Sequence, residues 1–422
     1  MKLVIKIFLI VFTVHFFFSC DSTEPPPPPE TKPTLTLELD DVSCIEAWLQ
    51  LKTKDLELPA ELTLKQYNPT GDSVSHIFLL NTQDSLLYID SLLPNQNYSF
   101  QISSILPQVS SAQQPVTTMD TTSHNFTFQS WTFGTIGSST LYDVAIINEN
   151  NIWAVGEIMI ADTSQNGYTT YNAVHWDGNE WELKQIPYYY NGQVFYHPIQ
   201  SVFSFSENDI MFCGNGIINW DGANFRSIGI SSGVWGPYQM NKMWGISSND
   251  FYIVGTNGQI AHYNGTNWQR IESGTTLIIG DIWGITDNNK KYLAADNFML
   301  IIDSTNQVQR LASANGLSSI WGINENLIYA AGGSGLYKFK NYDWEKVQEQ
   351  GTIRIVRGSN YNDVYGLGNS IIGEISHFNG YSWGSISVGT LYTNYSLSVK
   401  QNSVATVGWN GDKALITLLF RN

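Results

Sequence analysis

The 422-residue sequence predicts an all-β protein, a small β-sandwich followed by a seven-bladed β-propeller whose last blade is closed by an N-terminal strand. Three observations carry this. A unit of about 40 residues repeats through the C-terminal three hundred. Short alternating stretches separated by turn residues fill the ninety residues before it. Few stretches place apolar residues at helical spacing.

The elements follow in chain order. Lys2 and Lys6, an apolar run over 7–18 and then Ser19-Cys20 form a secretion signal, too short for the roughly 20 apolar residues of a membrane span. The Ser-Cys step resembles the lipobox of bacterial lipoproteins. The resemblance implies a signal peptide over 1–19, a lipidated Cys20 and an outer-membrane lipoprotein, facing the periplasm or the cell surface. Removing Lys2 and Lys6 takes the formal charge from −16 to −18. A chain so acidic excludes nucleic acid as a partner, because phosphate backbones attract Lys and Arg. Residues 20–32, with five consecutive prolines (25–29), read as a stiff polyproline spacer.

Residues 33–122 hold seven candidate strands and read as a β-sandwich. Trp48 on the second strand and the run Leu93-Pro94-Asn95-Gln96-Asn97-Tyr98 resemble a fibronectin type III domain. In that family the tyrosine after a Leu-Pro step bonds back to the backbone at a corner. Trp48 and Tyr98 are accordingly expected to be core and corner residues. Cys44 and Cys213 are expected as buried free thiols, each inside an apolar strand.

Residues 123–422 carry the repeat. Its second-strand aromatic position falls at 153, 211, 252, 292, 329, 365 and 405, spacings that suit four-stranded blades with one early insertion. Asp177-Gly178, Asp221-Gly222, Asn264-Gly265 and Asn379-Gly380 mark a recurring hairpin, read as a two-residue turn, followed by an aromatic. His175, His262 and His377 share one register and read as scaffold, so no metal site is expected. The last copy lacks an outer strand, and residues 126–133 supply an orphan one that would close the ring. A weak copy misread would make the count six or eight. The pattern resembles the propellers of Bacteroidetes-type envelope lipoproteins, which follow a fibronectin III domain.

No nucleophile–base pair, HExxH, phosphate loop or dinucleotide fingerprint is present, and no cofactor is expected. The departures from the repeat point to binding instead. Glu157 to Asn172 is one; the aromatic run with Tyr188, Tyr189, Tyr190, Phe195 and Tyr196 is a second; the loop with Trp235 and Tyr238 is a third. Exposed aromatics beside Asn, Gln and Gly suit a protein or glycan ligand. The alternative is that these loops only pack over one face. Trp244, Trp283 and Trp321 share a register with Phe203 and Arg357, and either fill the gaps between blades or rim the channel. The expected function is a membrane-anchored binding or adhesion protein, monomeric and without catalysis. A hydrolase or lyase acting on carbohydrate at the channel mouth, or a scaffold of an envelope complex, are the alternatives.

Overall fold

A computed structural model describes residues 32–285, 289–311, 316–340, 343–347, 352–368, 373–389 and 393–422. The secretion signal, Cys20 and the proline run lie outside the described residues. Eight strands come first: β1 (Thr34–Val42), β2 (Ala47–Lys54), β3 (Ala60–Tyr67), β4 (Ser73–Leu80), β5 (Asp84–Ile89), β6 (Asn97–Ser104), β7 (Val109–Ser110) and β8 (Gln114–Thr117). They form two sheets, ordered β1-β2-β5 and β4-β3-β6-β7, with β8 also on β6. Alternation along β6 buries Tyr98, Phe100 and Ile102 and turns their neighbours outward, as a strand with one solvated face requires. Leu37, Leu49 and Leu51 of one sheet meet Leu62, Phe100 and Ile102 of the other. At the corner, the Leu93 amide donates to the Tyr98 hydroxyl at 2.9 Å.

Beyond the sandwich the described residues form seven four-stranded antiparallel sheets, the arrangement of a β-propeller. Six are continuous in sequence, at 140–184, 199–228, 240–272, 279–311, 317–346 and 353–387. The seventh takes three strands from 393–421 and its fourth from β9 (Phe126–Phe133). β9 pairs with the last strand from Phe126↔Arg421 to Phe133↔Ala414. The inner strands lie side by side in order, and the seventh lies beside the first.

The Asp/Asn-Gly hairpins differ from the expected two-residue turn. Four residues, 177–180, separate the paired Trp176 and Trp181. The Asp177 carboxylate accepts the amides of Asn179 and Glu180 at 2.8 and 2.9 Å, so the side chain, not a tight backbone turn, closes the loop. Gly178 takes φ +95°, and a Cβ there would stand 2.5 Å from the Asn150 side chain.

The inner-strand tryptophans fill the gaps between blades. A Cβ on Gly284 would lie 2.1 Å from the Trp244 ring, and one on Gly358 would lie 2.6 Å from Trp321. The Trp283 indole donates to the Gly322 carbonyl at 2.6 Å. Each tryptophan therefore seats on the glycine that follows the same register in the next blade. The recurring histidines are scaffold too. His175, His262 and His377 stack on Trp153, Tyr252 and Tyr365 at 4.3, 4.2 and 4.6 Å. Each also bonds Asn151, Asp250 or Asp363 of its own blade.

Alternation of strand direction sends the turns between first and second strands, and between third and fourth, to one face of the ring. The sandwich docks there. Asp41 accepts from Asn324 at 2.5 Å and from the Tyr361 hydroxyl, and Lys338 bonds both oxygens of Glu46 at 2.8 Å. Trp48 is buried in this junction with Trp321 and Tyr361. It is an interface residue, not the sandwich core residue expected from sequence. Cys44 lies between β1 and β2 rather than in a strand, with its thiol against the carbonyl of Asp120 at 3.2 Å. Both Cys44 and Cys213 are buried and free.

Candidate functional site

The opposite face carries the insertions. Tyr188–Tyr190 and Gln193–Phe195 pair as a hairpin between the first and second blades, turned by Asn191 and Gly192 at φ +49° and +75°. Its two feet are held by one buried side chain. Asn172 donates to the carbonyls of Ile186 and His197 at 2.9 and 3.0 Å and accepts the Ile186 amide at 2.7 Å. The Tyr189 amide donates to Ser227 at 2.8 Å, tying the hairpin to the second blade. Tyr188 packs on Gly216, where a Cβ would stand 2.2 Å from its ring. Tyr189, Tyr190 and Tyr196 remain 50%, 57% and 42% exposed. Phe195 lies parallel to His197 at 5.3 Å. The residues from Glu157 onward lengthen the central strands of the first blade, which pair out to Ala161↔Tyr168. Gln185 bonds the Thr170 carbonyl at 2.9 Å and joins that extension to the hairpin foot.

Trp235 does not offer a ring face. It is 5% exposed, within the apolar cluster of Met240 and Phe251, and its indole donates to the Tyr238 carbonyl at 2.8 Å. Tyr238 itself is exposed. Arg357 is also removed from the surface, at 8% exposure.

Arg357 belongs to one of two charge clasps inside the channel. Its guanidinium bonds both oxygens of Asp281 at 2.8 and 2.9 Å, and also Ser319 at 2.9 Å. Asp281 further accepts the Ile320 amide at 2.9 Å. The second clasp centres on Asp143, which accepts from Ser201 at 2.9 Å, Ser396 at 2.7 Å and Lys242 at 2.5 Å. Burial alone would raise the Asp143 carboxyl, but Lys242 and the Ser396 and Val202 donors outweigh it and hold it below the usual carboxylate range. The first clasp joins blades four, five and six; the second joins seven, one, two and three. Both carboxylates are saturated by donors, which makes them girders of the ring.

A cleft of about 630 Å³ opens between the sandwich and the fourth and fifth blades. Leu86 and Tyr88 of β5 form one wall, and Ile301, Leu311 and Phe339 the other. The Glu46–Lys338 pair and Trp48 lie at its floor, and the Lys290–Glu325 pair and Asp84 at its mouth. Sequence reasoning missed this site. Its walls come from residues more than two hundred positions apart, which no local pattern connects.

No protein-family model matches the chain, and no curated protein matches it. Solved structures do. A structure of YCF48 bound to a D1 peptide is similar over 72% of this chain and all of its own, at 12% identity and TM-score 0.53. YCF48 from Cyanidioschyzon merolae is similar over 69% of this chain and 98% of its own, at 16% identity and TM-score 0.50. At such identities the likeness shows the fold, a β-propeller.

Proposed function

We propose that the chain is an envelope lipoprotein, anchored through Cys20, that binds a protein ligand on the propeller face opposite its sandwich. The observation that carries this is the braced hairpin with Tyr189, Tyr190 and Tyr196 exposed. The ring does not need these tyrosines, and Asn172 spends a buried amide on holding them in place. Rigid tyrosines bind at low entropic cost because their rotamers are few and already set. A propeller of similar fold holds a peptide, which supports a protein ligand over a glycan. The sandwich, as a fibronectin type III-like unit, would act as a spacer. Its strand order and the Tyr98 corner support that reading. Docked on the far face, it leaves the tyrosines pointing away from the tether.

The test is site-specific photocrosslinking in the native cell, with a benzophenone residue at 189, 190 or 196 and a control at the exposed Tyr381. Discrete protein adducts from the three hairpin positions alone are expected. Equal yield from position 381, or none from the hairpin, would defeat the proposal. Separately, Cys20→Ala should move the protein from the membrane fraction to the soluble fraction.

A further inference from the structure

We infer that the cleft between the sandwich and the fourth and fifth blades takes a second ligand, an extended, neutral-to-basic polypeptide strand that adds to the open edge of β5. β5 pairs with β2 alone, and over 84–87 its outer edge pairs with no strand among the described residues. Asp84, Ser85 and Leu86 of that edge all line the cleft. The register with β2 turns the amides and carbonyls of Asp84 and Leu86 outward, the Asp84 carbonyl also accepting the Thr82 hydroxyl at 2.8 Å. Groups at that strand spacing are matched by another polypeptide backbone and not by a sugar or acyl chain.

The far wall selects side chains. In a strand every second residue points the same way. An added strand would turn one set toward Ile301, Leu311 and Phe339 and the other set away. The cleft volume lies within the roughly 300–1,000 Å³ of typical ligand sites. The open stretch 84–87 gives about 14 Å of pairing length at ~3.4 Å per residue. The cleft also continues the sandwich–propeller junction, sharing Glu46, Trp48 and Lys338 with it, so its floor is already packed before a ligand arrives. Charge sets the preference for a basic segment. The Glu46–Lys338 and Glu325–Lys290 pairs cancel within the lining, which leaves Asp84 as a carboxylate outside both pairs at the open edge, on a chain of net charge −16.

This site lies on the face opposite the tyrosine hairpin, so the two readings stand or fall separately. The experiment selects a random twelve-residue phage-displayed library on the full mature chain, then titrates the most enriched fluorescein-labelled peptide by anisotropy. Leu86→Lys, at a position 42% exposed, and Ile301→Lys should each weaken binding about tenfold or more. Tyr190→Ala should not change it. N-methylation of alternate peptide amides should abolish binding in one register and spare it in the other, the signature of strand addition. The inference is overturned if no enriched peptide depends on Leu86, if both methylated registers bind equally, or if Tyr190→Ala abolishes binding.

Discussion

Replacing Arg357 by Met tests whether the channel clasps hold the ring. The guanidinium makes five hydrogen bonds, two of them to Asp281, in a site almost closed to water. Its removal leaves the Asp281 carboxylate buried with donors from Ser319, Ile320 and Ile282 but no counter-charge. Removing one partner of a buried pair costs about 3–5 kcal/mol. For a ring of about 300 residues, with an unfolding entropy of roughly 2.1 cal/mol/K per residue, that is a fall in Tm of about 5–8 °C. Arg226→Met is the control, since its partner Asp221 sits at 2.8 Å but the arginine is 71% exposed. Such surface pairs contribute ~0–1 kcal/mol, or less than about 2 °C here. The double variant Asp281→Leu/Arg357→Met should lose less than the sum of the single variants, because no lone charge remains. Differential scanning fluorimetry of the purified protein reads all four. Equal shifts for Arg357→Met and Arg226→Met, or strict additivity in the double variant, would refute the reasoning.

Stability should fall as the pH drops below about 6.5. Burial, first, and then His377 and Arg421 lower the His124 imidazole, while burial, first, and then Lys184 lower His175. Both groups bind protons less readily when folded, so the unfolded chain takes up protons first and is stabilised relative to the fold on acidification. Melting curves at pH 7.5 and 5.5 should show the loss. His124→Asn should make the slope shallower without removing it; an unchanged slope counts against a role for His124. Gly284→Ala should lower the Tm by a few degrees, since overpacking costs about 1–3 kcal/mol and the new methyl meets the Trp244 ring. Trp244→Leu in the same chain should recover part of that loss, and a further fall would show that the ring is not the obstacle. Burial raises the Cys44 thiol to about 11 and pushes Cys213 further up, so neither should alkylate with iodoacetamide at pH 8 until guanidinium unfolds the chain. Mass spectrometry reads the adducts.

The blades were legible because each repeats the same local chemistry. Asp177, Asp221, Asn264 and Asn379 cap their own turns, and a side chain bonding two residues ahead leaves its mark in the sequence. The missing outer strand of the last copy pointed directly to β9. Long-range pairings leave no such mark. Trp48 reads as core from its apolar neighbours, yet its partners are Trp321 and Tyr361. Arg357 looks like an anomaly in an apolar register until Asp281, two blades back, is seen to face it. Trp235 reads as one of an exposed aromatic group, and only the close approach of Gly255, whose Cβ would stand 2.9 Å from its ring, shows it plugged inward. The β5 cleft was illegible for the same reason.

Joining β9 to the last strand also sets a clock on biogenesis. Phe133 is made 281 residues before its partner Ala414 (414 − 133). At about 5–20 residues per second, the early strand waits roughly 15–60 s for its mate. During that wait it is a bare edge, and at most six sheets stand in an unlocked arc. A transcript broken anywhere upstream of codon 413 yields a polypeptide that cannot complete its final sheet, however well its first six have formed. Its bare edge leaves it open to wrong pairing and to proteolysis. Synthesis through the strand that pairs with β9 is thereby checked by the architecture itself.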